Sequence, residues 1–258
     1  MKQYMRLGCG FLAFALLSAA VAFAQQDTKN FHWNGKLATD QTVTVKTING
    51  EVEADPASGD EVQVTAQATG TYAQQVHFQV NQDGNGVTVC ETYPGHDSCG
   101  GHSQGNHNNN NDHTRISYQI RVPAANRFAG HSVNGNVTAR NLSRQVKAST
   151  VNGNVKVSTR SWAEAESVNG SVDVTMGNAN WTGTLRLASV NGAIHVGLPA
   201  NANIDVDVRS VNGSFHSDFP VTSNSFMGHH VQGRVGSGGR ELDLRTVNGS
   251  VTLEKNSM

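Results

Sequence analysis

The sequence predicts an all-β protein folded as a single-stranded β-solenoid (β-helix), with rungs of about 16–22 residues. Three observations predict it. A Ser/Thr-Val-Asn-Gly-x-Val unit recurs at near-regular spacing. Short strands with period-two alternation separate the copies, and no stretch after the N-terminal segment carries a 3.6-residue pattern long enough for a helix.

The unit occurs at Ser132–Val137, Thr150–Val155, Ser167–Val172, Ser189–Ile194, Ser210–Phe215 and Thr246–Val251, with an outlying copy at Thr47–Val52. From Asn134 the steps are 18, 17, 22 and 21 residues, then 36. The long step divides into 20 and 16 at His230–Val235, read as a worn copy in which Gln232 replaces the Asn. A period near 20 means one small structural unit stacked many times.

Taken in order, residues 1–24 read as a secretory signal peptide. Lys2 and Arg6 make a basic start, Phe11 to Ala22 is apolar but too short to span a bilayer, and Ala22-Phe23-Ala24 is a small-x-small cleavage site. Residues 25–40 read as a polar, mobile N-terminal leader whose Phe31 and Trp33 are suited to covering the end of a core. The solenoid domain is expected over 41–255.

Within it, Thr42–Ile48 alternates as a strand, Glu51–Ala54 continues it, and Asp55-Pro56 stops it. Glu61–Ala66 is the next strand, and His77–Val80 with Gly86–Val89 form a hairpin. Residues 91–113 break the pattern with a His- and Asn-rich tract that offers little to a core, so they read as an exposed, disordered insertion. Ile116–Val122 restores the alternation. From Phe128 the repeats follow, with inward pairs such as Val155/Val157, Val172/Val174, Leu185/Leu187 and Leu242/Leu244.

An antiparallel meander, with each Asn-Gly as a type I′ hairpin turn, is the alternative arrangement. Seven turns with such constant flanks favour stacking, because stacking sets like above like. On that reading the Val before and the Val or Ile after each Asn-Gly fill the core. Gly makes the bend, and Asn49, Asn134, Asn152, Asn169, Asn191, Asn212 and Asn248 are structural; Asn134, Asn152, Asn169, Asn191, Asn212 and Asn248, with Gln232 as a substitute, are expected to align into an amide ladder.

These residues and their order resemble a bacterial family of exported putative adhesins, a domain of unknown function. The matching stretches are Trp181-Thr182-Gly183, Gly197-Leu198-Pro199-Ala200, Ser217-Asp218-Phe219-Pro220 and Gly233–Gly239, set among the Val-Asn-Gly units over roughly 40–253 without the insertion. The resemblance implies a β-solenoid, export and no established enzymatic activity. It brings no catalytic residues.

Composition narrows the function. The formal net charge is −1 with no basic stripe, which argues against nucleic acid. No second apolar run has membrane-spanning length, so no transmembrane segment is expected after signal cleavage. Cys90 and Cys99 remain beyond the signal peptide, and an even count in an exported chain predicts a disulfide. No zinc-protease, nucleophile-elbow or phosphate-loop motif occurs, so neither an enzyme nor a cofactor is expected.

The first reading is therefore a non-enzymatic interaction or structural protein of the cell envelope. It would be periplasmic, surface-held or secreted, with an envelope polysaccharide or protein as partner. The second reading is metal binding through His96, His102, His107 and His113, four imidazoles inside the insertion. The third is a carbohydrate-active β-helix that uses the i, i+2 pair Asp205 and Asp207.

Overall fold

The computed structural model describes residues 28–93, 99, 114–227 and 229–256. They form twenty strands and one short 3₁₀ turn, Ala73–Gln75. The first six strands are β1 (Thr28–Lys36), β2 (Thr42–Pro56), β3 (Glu61–Thr69), β4 (His77–Asp83), β5 (Gly86–Thr92) and β6 (Arg115–Val122). The repeats supply β7 (Arg127–Asn134), β8 (Val137–Leu142), β9 (Val146–Asn152), β10 (Val155–Thr159), β11 (Ala163–Asn169) and β12 (Val172–Met176). They continue with β13 (Thr184–Asn191), β14 (Ile194–Pro199), β15 (Ile204–Asn212) and β16 (Phe215–Ser217). The chain closes with β17 (Val221–Met227), β18 (His230–Val235), β19 (Arg240–Asn248) and β20 (Val251–Asn256).

Each rung is one strand in each of two facing parallel sheets, joined at the Asn-Gly corner. The long β2 runs through that corner. Its first half pairs with β5 and β7, and its second half with β6 and β8. Sheet B continues β7–β9–β11–β13–β19–β15 and sheet A continues β8–β10–β12–β14–β20–β16, all parallel. The architecture is thus a solenoid, not a meander. Parallel stacking places Val137, Val155, Val172, Ile194 and Val251 in one buried column.

The stack departs from chain order at its C-terminal end. The rung β19–β20 inserts between β13–β14 and β15–β16. The 36-residue step is therefore not two worn coils. His230–Val235 is β18, antiparallel to both β15 and β17, so it closes the sheet as a hairpin. Gln232 lies in mid-strand opposite Asp207 and takes no place in the Asn row. A corner residue must carry the chain into the other sheet, and Gln232 stays in one.

Antiparallel strands also finish the other end: β1 and β3 beyond β6 in sheet A, and β4 beyond β5 in sheet B. From Thr28 the expected leader is therefore strand β1, held along its length by β3. Phe31 and Trp33 pack against the core, and Phe31 stacks on Phe78 at 4.8 Å between centroids. An open stack end would expose apolar ladders and strand edges, and these residues cover them.

The Val before each Asn-Gly is the clearest correction. Ile48, Val133, Val151, Val168, Val190, Val211 and Val247 point outward, 39–54% exposed. The physical reason is period-two alternation from the preceding strand. With Val146 and Ala148 inward, Thr150 is inward and Val151 must face out. The buried place belongs to the Ser or Thr, whose hydroxyl donates to the Gly carbonyl of the neighbouring rung: Thr150 to Gly135 at 2.8 Å, Ser167 to Gly153 at 2.9 Å. Ser132, Ser189, Thr246 and Ser210 repeat the bond.

Candidate functional site

The outward half of sheet B carries three parallel rows. At the corner lie the asparagines. Asn134 Nδ2 donates to Asn49 Oδ1 at 2.8 Å, and Asn152, Asn169 and Asn191 each repeat the bond to the preceding rung. Asn248 donates to Asn191 at 2.7 Å and Asn212 to Asn248 at 2.8 Å. Each amide in the row is fixed by its neighbours.

Beside them runs the outward row from Ile48 to Val211, about 29 Å long for six steps of about 4.8 Å. Two residues further from the corner, the same face presents Lys46, His131, Ser149, Glu166, Ala188, Arg245 and Arg209 in register. Ser149 and Ala188 are short, so the surface dips there into a groove of about 670 Å³. Val151, Val168, Val190 and Val247 line one side of it, with Arg186, Arg209 and Arg245 towards the C-terminal end.

Those arginines rest on carboxylates. Asp243, its side chain 3% exposed, accepts Arg245 Nε at 2.7 Å and Arg186 Nε at 3.2 Å. The Asp243 hydrogen bond holds Arg245 above the ordinary guanidinium range. Arg209 grips Asp207 at 3.1 Å. Nearer the N-terminal end, His131 Nδ1 lies 2.7 Å from Ser149 Oγ. Burial, with Lys46 and Lys147 nearby, lowers its pKa and favours the neutral imidazole.

Asp205 and Asp207, the candidate carboxylate pair, are both committed. Asp205 accepts Gly239 N–H at 2.9 Å and Arg234 Nε at 3.2 Å, which lower its pKa. Burial pushes Asp207 up, but Gln232, Arg209 and His230 outweigh it and leave it below the usual carboxylate range. Glycoside hydrolysis needs one carboxyl kept protonated as the acid. Two carboxylates held ionised do not supply it, so the glycosidase reading is not favoured.

His96, His102, His107 and His113 lie outside the described residues. No cluster of metal-ligating side chains occurs among the described residues. Cys90 and Cys99 are joined as a disulfide with their Cα atoms 5.6 Å apart.

One carboxylate was misplaced by the sequence reading, which set Glu91 at the start of the exposed insertion; it is a buried residue of β5. Glu91 occupies the Ser/Thr position of the rung outside β2, aligned next to Thr47. It accepts Thr47 Oγ1 at 2.9 Å, the Ile48 N–H at 2.6 Å and Tyr118 Oη at 2.9 Å. Each other hydroxyl in that row finds a Gly carbonyl, and Thr47 finds Glu91 instead. The signal was present: Val87 and Val89 alternate inward, which puts Glu91 inward too.

A two-sheeted parallel solenoid with Val-Asn-Gly corners, hairpin ends and a regular outer face defines the class. The chain belongs to the Toastrack DUF4097 family, whose profile matches residues 30–254. A search among curated proteins finds no match. Among solved structures, a putative cell adhesion protein from Clostridium sporogenes is 10% identical, with 89% of this chain and 100% of that chain covered at a TM-score of 0.46. A putative adhesin from Bacteroides fragilis is 14% identical, with coverage of 87% and 97% and a TM-score of 0.39.

Proposed function

We propose that the chain is an exported, non-enzymatic binding protein that lays an extended envelope polymer along the outer face of sheet B. The observation that carries this reading is the outward valine row. Seven β-branched side chains stand 39–54% exposed in one line. Scattered apolar residues on a surface need no explanation, but a continuous line of them marks an interaction site. Solubility alone would be served by Ser or Thr at these positions, and the strand propensity would be kept. The row is also rigid, because parallel pairing fixes the spacing and the asparagine bonds fix one border. A fixed comb of contacts suits a partner that is itself extended and repetitive.

The test is retention on immobilised envelope material, compared between the wild-type chain and a Val151→Asp/Val190→Asp variant. The expected result is clear loss of retention in the variant at unchanged melting temperature. Equal retention would remove the reading. Recovery of the chain from the external or periplasmic fraction tests export.

A further inference from the structure

We infer that the C-terminal part of the groove takes the carboxylate groups of an acidic polysaccharide, a polymer bearing uronic acids, while the sugar rings lie along the valine row. This rests on the reading of that face as a polymer-binding surface. The specific evidence is the three arginines. Asp243 is nearly fully buried and engages Arg186 and Arg245 through Nε in each case. Among the described residues, no hydrogen bond engages the terminal nitrogens of these two. The buried carboxylate thus orients two guanidinium groups and leaves their outer edges open, and those edges make paired bonds to carboxylates. Arg209, one rung on from Arg245, also lines the groove, with one terminal nitrogen already given to Asp207 at 3.1 Å.

The lining of the groove holds three arginines and one acid, Glu166. Glu166 sits two rungs before Arg245 in the same row, so the cations that line the groove are confined to the rungs that carry Arg186, Arg245 and Arg209, and Lys46 lies at the far end of the row outside the groove. A uronate polymer sets the carboxylates of the sugars that pass these rungs against the arginines, while the ring faces of its other sugars lie on the valines.

Other occupants fit less well. An extended peptide repeats same-face side chains every ~6.8 Å, out of step with rungs ~4.8 Å apart. Its main source of affinity, backbone pairing to a free sheet edge, is not offered by the face of a sheet. A second copy, paired about a two-fold axis through Val168, would set Lys46 against Arg209 and His131 against Arg245. Nucleic acid would need a basic stripe, and the chain has a formal net charge of −1.

The experiment is titration calorimetry of the purified chain with oligogalacturonate and with the same oligomer fully methyl-esterified, which masks the carboxylates and keeps the backbone. Polyglutamate and a glycerol-phosphate polymer are the other arms. The variants are Arg209→Gln/Arg245→Lys, which keeps a cation on Asp243 and removes the fork, and Val190→Asp. Uronate binding should exceed that of the ester by roughly tenfold or more, the scale of lost charge-assisted hydrogen bonds. It should fall about as far in the arginine variant, at unchanged melting temperature, and in Val190→Asp. Equal binding of acid and ester, uronate binding untouched by the arginine change, or equal binding of polyglutamate or the phosphate polymer overturns the inference. If retention on envelope material still depends on Val190 in those cases, the polymer-binding face stands and only the uronate assignment falls. If retention depends on neither Val190 nor the arginines, both fall.

Discussion

Asn248 Nδ2 donates to Asn191 Oδ1 at 2.7 Å across 57 residues of sequence, so the last Val-Asn-Gly unit lies within the stack and not at its end. Asn212, earlier in the chain, is the terminal member of the row and donates to Asn248. The chain passes over one rung position after β14 and returns to fill it with its closing residues.

Removal of residues 240–258 should therefore do more than trim an end. It withdraws the fully buried Leu242, Leu244, Val251 and Leu253 from between two rungs. At about 1.5–3 kcal/mol each, the loss approaches the whole stability of an ordinary domain. The expected outcome is loss of a cooperative urea transition. A truncated chain that keeps the full-length midpoint would refute the inserted rung.

The asparagine row should respond to position. Asn169 both donates to Asn152 and accepts from Asn191, whereas Asn212 makes one such bond. At about 1 kcal/mol net per hydrogen bond, Asn169→Ala should cost about 1–2 kcal/mol and Asn212→Ala about half of that. Denaturant unfolding of both variants measures the difference. Equal costs would mean that the amides are not coupled along the stack.

The repeat was legible because stacking demands likeness: one phase of the period recurs with Val inside and Asn-Gly at the bend. The rung order was not legible. Copies so alike carry no information on which neighbour each one meets, and nothing in residues 246–251 distinguishes an inner rung from an end. The orientation of Val151 was legible and was obscured by a second rule, that β-branched residues belong inside. Counting by twos from Val146 resolves it. Asp243 looked like one member of an ordinary solvated alternation in Leu242-Asp243-Leu244. It is buried and paired both with Arg245 beside it and with Arg186, 57 residues away in sequence, which comes into place through the same inserted rung.

The two valines of one repeat should then behave oppositely. Val151→Thr exchanges an exposed methyl for a hydroxyl and should change stability by no more than about 0.5 kcal/mol. Val155→Thr places a hydroxyl in a fully buried column and should cost about 1–3 kcal/mol. Thermal unfolding checks the pair, and similar losses at both sites would contradict the outward row.

Gly153 is fixed by a close approach. A Cβ there would lie 2.2 Å from the Gly135 carbonyl oxygen, and its φ of +157° is one that other residues rarely adopt. Neither atom can yield, since the Gly153 N–H is bonded to Asn169 O at 3.0 Å and Gly135 O accepts Thr150. Gly153→Ala should cost at least about 1–3 kcal/mol by strain at this corner. Gly183, whose Cβ would meet nothing within 4 Å, has φ +73° and should show the backbone penalty without the clash. The excess of the first loss over the second measures the close approach.

Glu91 gives the fold a pH dependence of definite sign. Burial raises its pKa above the 4.5 of an ordinary glutamate, against the opposing pull of the Ile48 N–H, its own backbone amide, Thr47 and Tyr118. The unfolded chain releases this proton near 4.5 and the folded chain releases it at higher pH. Between those two values the folded state binds more protons, so stability falls as pH rises through the window. Below 4.5 the contribution is fully present, and above the raised value it is gone. Asp205 and Asp207, held below the usual range, act in the opposite sense and at lower pH. The difference between wild type and Glu91→Gln isolates the effect, since glutamine keeps the acceptor for Thr47 and Ile48 and does not titrate. Melting temperatures from about pH 4 to pH 8 should show the wild type losing ground to Glu91→Gln as pH rises. A flat difference would mean that Glu91 titrates alike in the folded and unfolded chain, and that the carboxylate completing the hydroxyl row is not desolvated.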